Sequence, residues 1–303
     1  MKPAIIGAGA MGLLTASYFK KSGIDFAIYE KYSDIVSAIK NSGIKTIDDC
    51  ELIKTDNYEN IIDSNPEIIS GCKIIFLFIK SYSTDDAINS IINNLDSDSI
   101  IVSLQNGIGN NETLFKHFDK DRVVYGTTSY GASKSDLNTV KFGGHGDITL
   151  GGKNKKNALS VVELLKKTGF NAEYTDNPDK AVWIKAIVNA GINPIASILS
   201  IPNGEILNNK YSLDIQSKII HEAVEVANSM NINLNEKEMI HITMDVCRKT
   251  ASNLCSMYQD IKYNRNTEID YINGKIIEYG RQNSIAIPCN EIIYDIIKAL
   301  ERI

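Results

Sequence analysis

The sequence has little of what disulfide frameworks and metal sites are built from. Its 303 residues include five cysteines, which are scattered and never spaced as C-x-x-C, and four dispersed histidines. An odd number of cysteines without regular spacing favours reduced thiols in a cytoplasmic protein over a disulfide framework or a zinc site. The cysteines are Cys50, Cys72, Cys247, Cys255 and Cys289. We therefore expect no metal, and the catalytic groups are to be sought among other residue types.

An excess of positive charge and long apolar runs are also missing. The formal net charge is -5, so the chain lacks the basic footprint that binds nucleic acid. No uninterrupted apolar run approaches the roughly 20 residues that span a bilayer. The chain passes from Pro3–Ile6 straight into glycines, which leaves no room for the apolar stretch of a signal peptide. We therefore expect neither nucleic acid nor a membrane as a partner.

The first half of the chain alternates short, nearly all-apolar runs with longer amphipathic stretches. Such runs are typical of buried parallel strands with helices on both faces, which predicts an α/β domain with a Rossmann-like doubly wound parallel sheet. The predicted strands are Ala4–Ile6, Phe26–Tyr29, Ile74–Ile79, Ile100–Leu104, Val123–Tyr130 and Gly146–Leu150. The predicted helices are Met11–Ser22, Asp34–Asn41 and Thr84–Asn93. Gly143, Gly144 and Gly146 predict a turn between the last two strands.

The pattern changes after about Asp176, where apolar residues begin to recur at helical spacing and β-rich runs disappear. This predicts an all-α C-terminal domain. The predicted helices are Asp179–Gly191, Ser212–Met230, Glu236–Cys255, Glu268–Asn283 and Asn290–Arg302. Because the chain is also longer than a typical single domain, we predict two domains, residues 1–175 and 176–303.

A glycine-rich segment follows the first predicted strand and opens the first predicted helix. It reads Gly7-Ala8-Gly9-Ala10-Met11-Gly12, the G-x-G-x-x-G pattern. In this context the first glycine permits a tight turn, the second lets the backbone approach a pyrophosphate, and the third allows close packing of helix on strand. The segment therefore predicts dinucleotide binding, the alternative being a purely structural turn.

Polar residues follow three of the predicted parallel strands. Glu30-Lys31, Lys80 and Gln105-Asn106-Gly107 each stand where a strand ends. Open α/β sheets bind ligands at the carboxyl ends of their strands, so these residues are candidates for the cofactor site. Each also has a plainer interpretation, a solvated strand end for Lys80 and an ordinary turn for Asn106-Gly107.

A polar stripe marks the first helix of the second half. Lys185, Asn189 and Asn193 are spaced four apart among apolar neighbours, so a helix places them on one face. A lysine in such surroundings either snorkels to solvent or works in a partly buried cleft, and two asparagines beside it favour the cleft. Pro194 is expected to end or kink the helix, before a segment that contains Asn203-Gly204.

A second polar cluster lies further along, from Asn253 and Ser256 to Glu268. Asn253 and Ser256 are three residues apart and would share a helical face. Thr267 and Asp270 have the spacing of a capping box, with Asp in place of the usual Glu. On local grounds Glu268 is then explained as a first-turn acid that the helix dipole favours.

Taken in order, the motifs closely resemble those of the ketopantoate reductases (2-dehydropantoate 2-reductases) over nearly the whole chain. They are G-A-G-A-M-G, I-K-S-Y, Q-N-G-I-G, W-I-K-A-I-V-N-A-G-I-N-P, P-N-G-E and S-M-Y-Q-D-I…R-N-T-E-I-D-Y-I-N-G. The resemblance implies a dinucleotide-binding domain, a helical domain and an active site in the cleft between them. It implies NADPH-dependent reduction of 2-dehydropantoate to (R)-pantoate, on the way to pantothenate and coenzyme A.

The resemblance also assigns roles to residues. Lys185 matches the catalytic lysine of the family. Positions that hold the substrate are matched by Asn106, Asn189, Asn193, Asn203, Asn253 and Ser256. Cofactor contacts are matched by Gly7, Ala8, Gly9, Ala10, Met11, Gly12, Lys80, Asn106, Ala132 and Glu268. For Glu268 this replaces the local explanation as a first-turn acid.

The chain departs from the family after the second strand. Most members place a basic residue there to meet the 2′-phosphate of NADPH, and Lys31 takes that place, but Glu30 precedes it. An acid at this point commonly accepts the ribose 2′-hydroxyl of NAD. We expect NADP as the cofactor, with NAD as the alternative that Glu30 leaves open.

Two other functions remain open at this stage. One is a related NAD(P)H-dependent reductase of a different small 2-keto acid, since the stripe does not encode the tail of 2-dehydropantoate. The other is a non-catalytic dinucleotide-sensing protein. A sensor has no use for a proton donor, so the presence together of Lys185, Asn189, Ser256 and Glu268 argues against it. The sequence is compatible with both a monomer and a homodimer.

Overall fold

The computed structural model describes residues 1–48, 51–56 and 58–301. The chain forms two compact units. The N-terminal unit comprises Met1–Gln105 and Asn110–Pro178, and the C-terminal unit comprises Asp179–Ile303 with the short segment Asn106–Gly109. Cys50 and the predicted helix end at Arg302 lie outside the described residues.

The N-terminal unit contains twelve strands among the described residues, and eight of them form its main sheet. The strands are β1 (Pro3–Ile6), β2 (Ala27–Tyr29), β3 (Ile44–Asp48), β4 (Glu51–Thr55), β5 (Ile62–Asp63), β6 (Ile74–Leu77), β7 (Ile100–Ser103), β8 (Val123–Thr128), β9 (Gly131–Asp136), β10 (Thr139–Gly144), β11 (Ile148–Gly151) and β12 (Ala172–Tyr174). The main sheet has the order β12-β11-β8-β7-β6-β1-β2-β5. All neighbours in it are parallel except β8 and β11. The predicted doubly wound sheet is confirmed.

Helices cover the main sheet because its central strands are apolar on both sides. Ile5 and Phe76 contribute to one hydrophobic core, while Ile6 and Leu77, their neighbours along β1 and β6, contribute to another. Successive side chains of a strand point to opposite faces, so the sheet has a core on each side. The helices of this unit are α1 (Ala10–Lys21), α2 (Ser33–Ser42), α3 (Thr84–Ile91), α4 (Asn110–Phe115) and α5 (Lys155–Lys167).

A second sheet of four strands, in the order β4-β3-β10-β9, was not predicted. It replaces the expected single turn: residues 131–144 form an antiparallel hairpin, and Gly143 and Gly144 end β10 rather than mark a turn. The hairpin escaped prediction because β9 is polar and only partly buried, without an apolar alternation. The sheet lies against α1, where Thr46 donates a hydrogen bond to Ser17 at 3.1 Å.

The described C-terminal unit is helical, as predicted. Its helices are α6 (Pro178–Leu199), α7 (Lys210–Ser229), α8 (Glu236–Lys249), α9 (Ser256–Lys262), α10 (Asn273–Gln282) and α11 (Pro288–Leu300), with 3-10 turns at Asn203–Asn208 and Ile269–Tyr271. Three predicted boundaries are wrong. Helix α6 continues through Pro194 to Leu199, α8 ends at Lys249, and the helix expected from Glu268 begins at Asn273.

Helix α6 is the apolar centre of this unit. It has 22 residues and a mean hydropathy of 1.4 over its most apolar window, so by length and composition it could span a bilayer. About 67% of that window is buried inside the protein, among residues such as Trp183, Ile187 and Ile195. This burial is the property of a core helix, and it places the polar stripe of α6 in an apolar setting.

Candidate active site

The glycine-rich turn in the N-terminal unit has the geometry that a pyrophosphate requires. Gly7 has a φ of +96° and donates its N–H to the carbonyl of Tyr29 at 2.9 Å. A Cβ at Gly12 would collide with the carbonyl oxygen of Gly7, so this position accepts nothing larger than glycine. Helix α1 begins at Ala10 with Gly9 as its N-cap, without a side-chain cap and without an acidic residue in its first turn. The N-terminal N–H groups of α1 therefore fit an anion.

Glu30 is fixed beside this turn rather than exposed at the strand end. Its side chain is buried, with Oε2 accepting a hydrogen bond from the N–H of Ala8 at 2.7 Å and Oε1 accepting one from the N–H of Tyr32 at 3.1 Å. Lys31 is exposed, and its ammonium lies over the ring of Tyr32, 4.9 Å from the centroid. A carboxylate held at the end of β2 is the arrangement that commonly recognises a ribose 2′-hydroxyl.

Two further predicted cofactor residues belong to the N-terminal unit. Lys80 is half-buried and precedes the 3-10 turn Ser81–Ser83, three residues after β6 ends. Ala132 lies on β9, partly buried and packed against the core that contains α1. Gln105, at the end of β7, donates from Nε2 to the carbonyl of Ile79 at 3.0 Å, which ties two strand ends together.

Lys134 is a candidate that the sequence reasoning missed. It lies on β9, and its Nζ donates a hydrogen bond to the carbonyl of Ala8 at 3.2 Å. Burial lowers the pKa of Lys134, while the negative charge of Glu30 acts in the opposite direction. A lysine between two serines forms no motif, and the hairpin that carries it was not predicted, so no sequence signal pointed to it.

In the C-terminal unit, three polar side chains from distant parts of the sequence form a chain of hydrogen bonds. Lys185 donates from Nζ to Oδ1 of Asn106 at 2.7 Å, and Asn106 donates from Nδ2 to Oε2 of Glu268 at 3.3 Å. Asn106 is held in this unit because Ile108 donates its N–H to the carbonyl of Tyr271 at 2.7 Å. The amide of Asn106 thus links the predicted catalytic lysine to a carboxylate.

The environment of Lys185 changes its acidity. The residue is half-buried, and desolvation of the ammonium lowers the pKa of Lys185 from 10.5 to about 8, although the negative charge of Glu268 raises it. An ammonium whose pKa lies close to neutral pH is a stronger proton donor than an ordinary lysine and is still largely protonated at pH 7.

A small cavity in the C-terminal unit brings together residues from both predicted clusters. Its polar lining comes from Asn106, Asn193, Ser256, Asp260 and Glu268, and its apolar lining from Met257 and Ile272. Asp260, to which sequence reasoning gave no role, is buried and pairs with Nε of Arg265 at 3.2 Å. Ser256 is the first residue of α9 and is exposed. Amide, hydroxyl and carboxylate groups at one place can hold an oxygen-rich ligand.

The remaining predicted substrate residues do not line this cavity. Asn189 is half-buried on α6 between Lys185 and Asn193, and Asn253 is exposed in the turn before α9. Asn203 is buried, with its Nδ2 donating to Thr250 at 2.9 Å and its Oδ1 lacking a hydrogen-bond partner among the described residues. The N–H of Asn203 also donates to the carbonyl of Asn253 at 3.0 Å, which brings these two together.

Two local expectations about the second cluster are wrong. Asn253 and Ser256 do not share a helical face, because α9 begins only at Ser256. Thr267 and Asp270 do not form a capping box: Thr267 donates to Oε1 of Glu301 at 2.6 Å, and Asp270 accepts from Tyr294 at 2.6 Å. Thr267 still accepts from the N–H of Ile269 at 3.1 Å, but long-range partners replace the reciprocal bond with Asp270.

The part of the chain that the structure describes contains no group of three or more His, Cys, Asp or Glu side chains that could hold a metal ion.

The chain is similar to known proteins along its whole length. A family model described as ketopantoate reductase PanE/ApbA matches residues 4–155, and one described as ketopantoate reductase PanE/ApbA C terminal matches residues 177–301. The 2-dehydropantoate 2-reductase of Pyrococcus horikoshii is 36% identical over 99% of this chain and 98% of that protein.

Solved structures are similar as well. A D-mandelate dehydrogenase determined with NADH and anilino(oxo)acetate has a TM-score of 0.94 at 28% identity, covering 100% of this chain and 99% of that one. A PanE/ApbA family ketopantoate reductase from Ralstonia eutropha has a TM-score of 0.90 at 22% identity, with 100% and 99% covered, and shares the fold.

Proposed function

Because the chain belongs to the ketopantoate reductase family, we propose that it is a 2-dehydropantoate 2-reductase. The reaction is the NADPH-dependent reduction of 2-dehydropantoate to (R)-pantoate, a step toward pantothenate and coenzyme A. The observation that carries the proposal is the hydrogen bond of Lys185 to Asn106, together with the burial that brings the pKa of Lys185 to about 8.

Lys185 acts as the proton donor. When bound, the reduced nicotinamide supplies the hydride to the carbonyl carbon of the keto acid. The ammonium of Lys185 donates a hydrogen bond to the carbonyl oxygen, stabilises the negative charge that develops there, and transfers a proton to it. Asn106 accepts from Lys185 and so fixes the direction of the remaining N–H bonds.

Hydroxyl and amide groups hold the carboxylate of the substrate. Ser256 and Asn193 line the same cavity as Asn106, so the hydroxyl and the amide N–H groups can donate hydrogen bonds to the carboxylate of a small acid. Asn189 extends the stripe on α6, and Asn203 and Asn253 provide a second pair of amides. Fixing the carboxylate sets which face of the carbonyl receives hydride, which determines the stereochemistry of the product.

The glycine-rich turn binds the dinucleotide. Its conformation at Gly7, the tight packing at Gly12 and the uncapped start of α1 support pyrophosphate binding there. The resemblance to the family favours NADPH, with Lys31 and Lys80 as cations after two of the strands. The buried carboxylate of Glu30 favours the alternative, NADH.

A second candidate is an NADH-dependent reductase of a different 2-keto acid. It is favoured by the position of Glu30 and by the similarity to a D-mandelate dehydrogenase whose structure contains NADH and anilino(oxo)acetate. A non-catalytic sensor is disfavoured, since it has no use for a lysine of lowered pKa beside an amide.

The two candidates are separated by one assay. Oxidation of NADPH and of NADH is followed with 2-dehydropantoate, phenylglyoxylate and pyruvate as substrates, and kcat/KM is compared for each pair. The proposal predicts the highest value for 2-dehydropantoate with NADPH. A higher value for phenylglyoxylate with NADH supports the second candidate, and no turnover with any pair contradicts both.

We also infer a cytoplasmic location. The buried cysteines Cys72, Cys247 and Cys255 are free thiols, and burial raises the pKa of each. Unpaired thiols of this kind are typical of a reducing compartment. Either a monomer or a homodimer is compatible with the proposed reaction, and size-exclusion chromatography with light scattering distinguishes them.

A further inference from the structure

The hairpin of the second sheet brings a lysine to the glycine-rich turn. Lys134 is half-buried on β9, and its Nζ donates to the carbonyl of Ala8 at 3.2 Å. Ala8 is the residue between Gly7 and Gly9, two positions before α1 begins, and it is buried. The ammonium is therefore fixed at the turn rather than extended into solvent like most surface lysines.

Both backbone groups of Ala8 form hydrogen bonds with charged side chains, and the two side chains have opposite charges. Its N–H donates to the carboxylate of Glu30 at 2.7 Å, and its carbonyl accepts from Lys134. Burial lowers the pKa of Lys134, whereas the negative charges of Glu30, Asp34 and Asp136 act in the opposite direction. One acidic and one basic side chain thus lie on the same residue of the dinucleotide turn.

The position of Glu30 and Lys134 indicates which part of the cofactor they would contact, the 2′ position of the adenosine ribose. The end of the second strand is where such folds recognise the 2′ position of the adenosine ribose, and Glu30 stands there. A carboxylate at that point repels a phosphate unless a cation offsets it. The ammonium of the exposed Lys31 lies over the ring of Tyr32, whereas that of Lys134 is held on the carbonyl of Ala8, the residue whose N–H donates to Glu30.

We propose that Lys134 binds the 2′-phosphate of NADP and offsets the negative charge of Glu30 at that position. An ammonium has three N–H donors, and the bond to Ala8 uses one of them. A lysine paired with phosphate contributes a charge-assisted hydrogen bond, which is about twice as strong as a neutral one. The inference rests on the proposed function, because it requires that the chain accepts NADPH.

The test measures binding rather than turnover. Dissociation constants are determined by calorimetry for 2′,5′-ADP, 5′-AMP, NADPH and NADH with the wild-type protein and with Lys134→Met, which keeps the length of the side chain and removes its charge. We expect Lys134→Met to weaken 2′,5′-ADP and NADPH by about tenfold or more. Binding of 5′-AMP and NADH should change by less than about twofold.

Matched variants separate the role of Lys134 from general electrostatics. Lys141→Met removes an exposed lysine from β10, the neighbouring strand, and should leave all four constants unchanged. Lys134→Arg should retain most of the affinity for 2′,5′-ADP. Glu30→Gln, with the lysine intact, should tighten 2′,5′-ADP because it removes the repelling charge.

Failure of this inference and failure of the proposed cofactor give different results. If the wild type prefers 2′,5′-ADP to 5′-AMP and Lys134→Met keeps that preference, the assignment of Lys134 is wrong while the proposed NADPH dependence stands. Equal weakening of all four ligands also overturns it, since Lys134 would then serve the turn or the pyrophosphate. A wild type that binds 5′-AMP at least as tightly as 2′,5′-ADP overturns both.

Discussion

Lys185 donates a hydrogen bond from Nζ to Oδ1 of Asn106 at 2.7 Å, and the same amide donates to Glu268 at 3.3 Å. The amide of Asn106 therefore connects an ammonium and a carboxylate through hydrogen bonds, and its bond to Nζ orients the lysine.

Asn106→Ala removes the acceptor that orients Lys185. We expect kcat to fall by about tenfold, because a hydrogen bond to a charged group contributes roughly 1.5–3 kcal/mol. The free energy of unfolding in urea should fall by no more than about 3 kcal/mol, so the variant still folds. Asn93→Ala, which changes an exposed asparagine in the turn after α3, should retain wild-type kcat; equal losses in both variants would contradict the role given to Asn106.

The pH profile of kcat/KM should reflect the protonation of Lys185. The proton donor must be charged, and its pKa of about 8 means that the active form is lost as the pH rises through about 8. Glu268 raises the pKa of Lys185, so Glu268→Gln should move this alkaline limb to lower pH. Glu163→Gln, an exposed acid on α5, should leave the limb in place. A limb that stays fixed in Glu268→Gln would argue against this coupling.

Ser256→Ala should act on substrate binding. Ser256 lines the cavity that also contains Asn193, so loss of its hydroxyl removes one hydrogen bond to the substrate carboxylate. We expect KM for the keto acid to rise by about tenfold while the dissociation constant of the cofactor stays the same. Ser252→Ala, in the turn before α9, serves as the control. An effect confined to cofactor affinity is the outcome that the assignment does not allow.

Gly12→Ala should damage the dinucleotide turn itself. The added Cβ collides with the carbonyl of Gly7, and we expect a loss of about 3 kcal/mol in the free energy of unfolding. Gly71→Ala is the comparison, since its Cβ meets nothing within 4 Å and its cost of about 1 kcal/mol comes from a φ of +77°. If urea unfolding gives the same loss for both, close packing at Gly12 is not what requires a glycine there.

The main sheet and the stripe on α6 were predictable because both are local patterns. Buried parallel strands are apolar throughout, as in Ile74–Leu77, and a spacing of four places Lys185 and Asn189 on one helical face. The hydrogen bond between Lys185 and Asn106 joins residues 79 positions apart, and no periodicity encodes it.

The parts that sequence reasoning missed depend on tertiary contacts. Strand β9 is polar, and one of its side chains, Lys134, reaches Ala8 across 126 positions of sequence. Thr267 donates to Glu301, 34 positions away, besides accepting from the N–H of Ile269, and the local pattern offers no signal for the long-range bond. Pro194 lies within α6 although proline disfavours a helix interior, because the buried helix is stabilised by its packing.

The most direct test of the account is Lys185→Ala, assayed with 2-dehydropantoate and NADPH beside the wild type. We predict that kcat falls by roughly a hundredfold or more, the scale of lost acid catalysis, while the dissociation constant of NADPH changes by less than about twofold. Lys210→Ala, which removes an exposed lysine at the start of α7, should keep wild-type kcat. A Lys185→Ala protein that turns over at close to the wild-type rate would contradict the central claim.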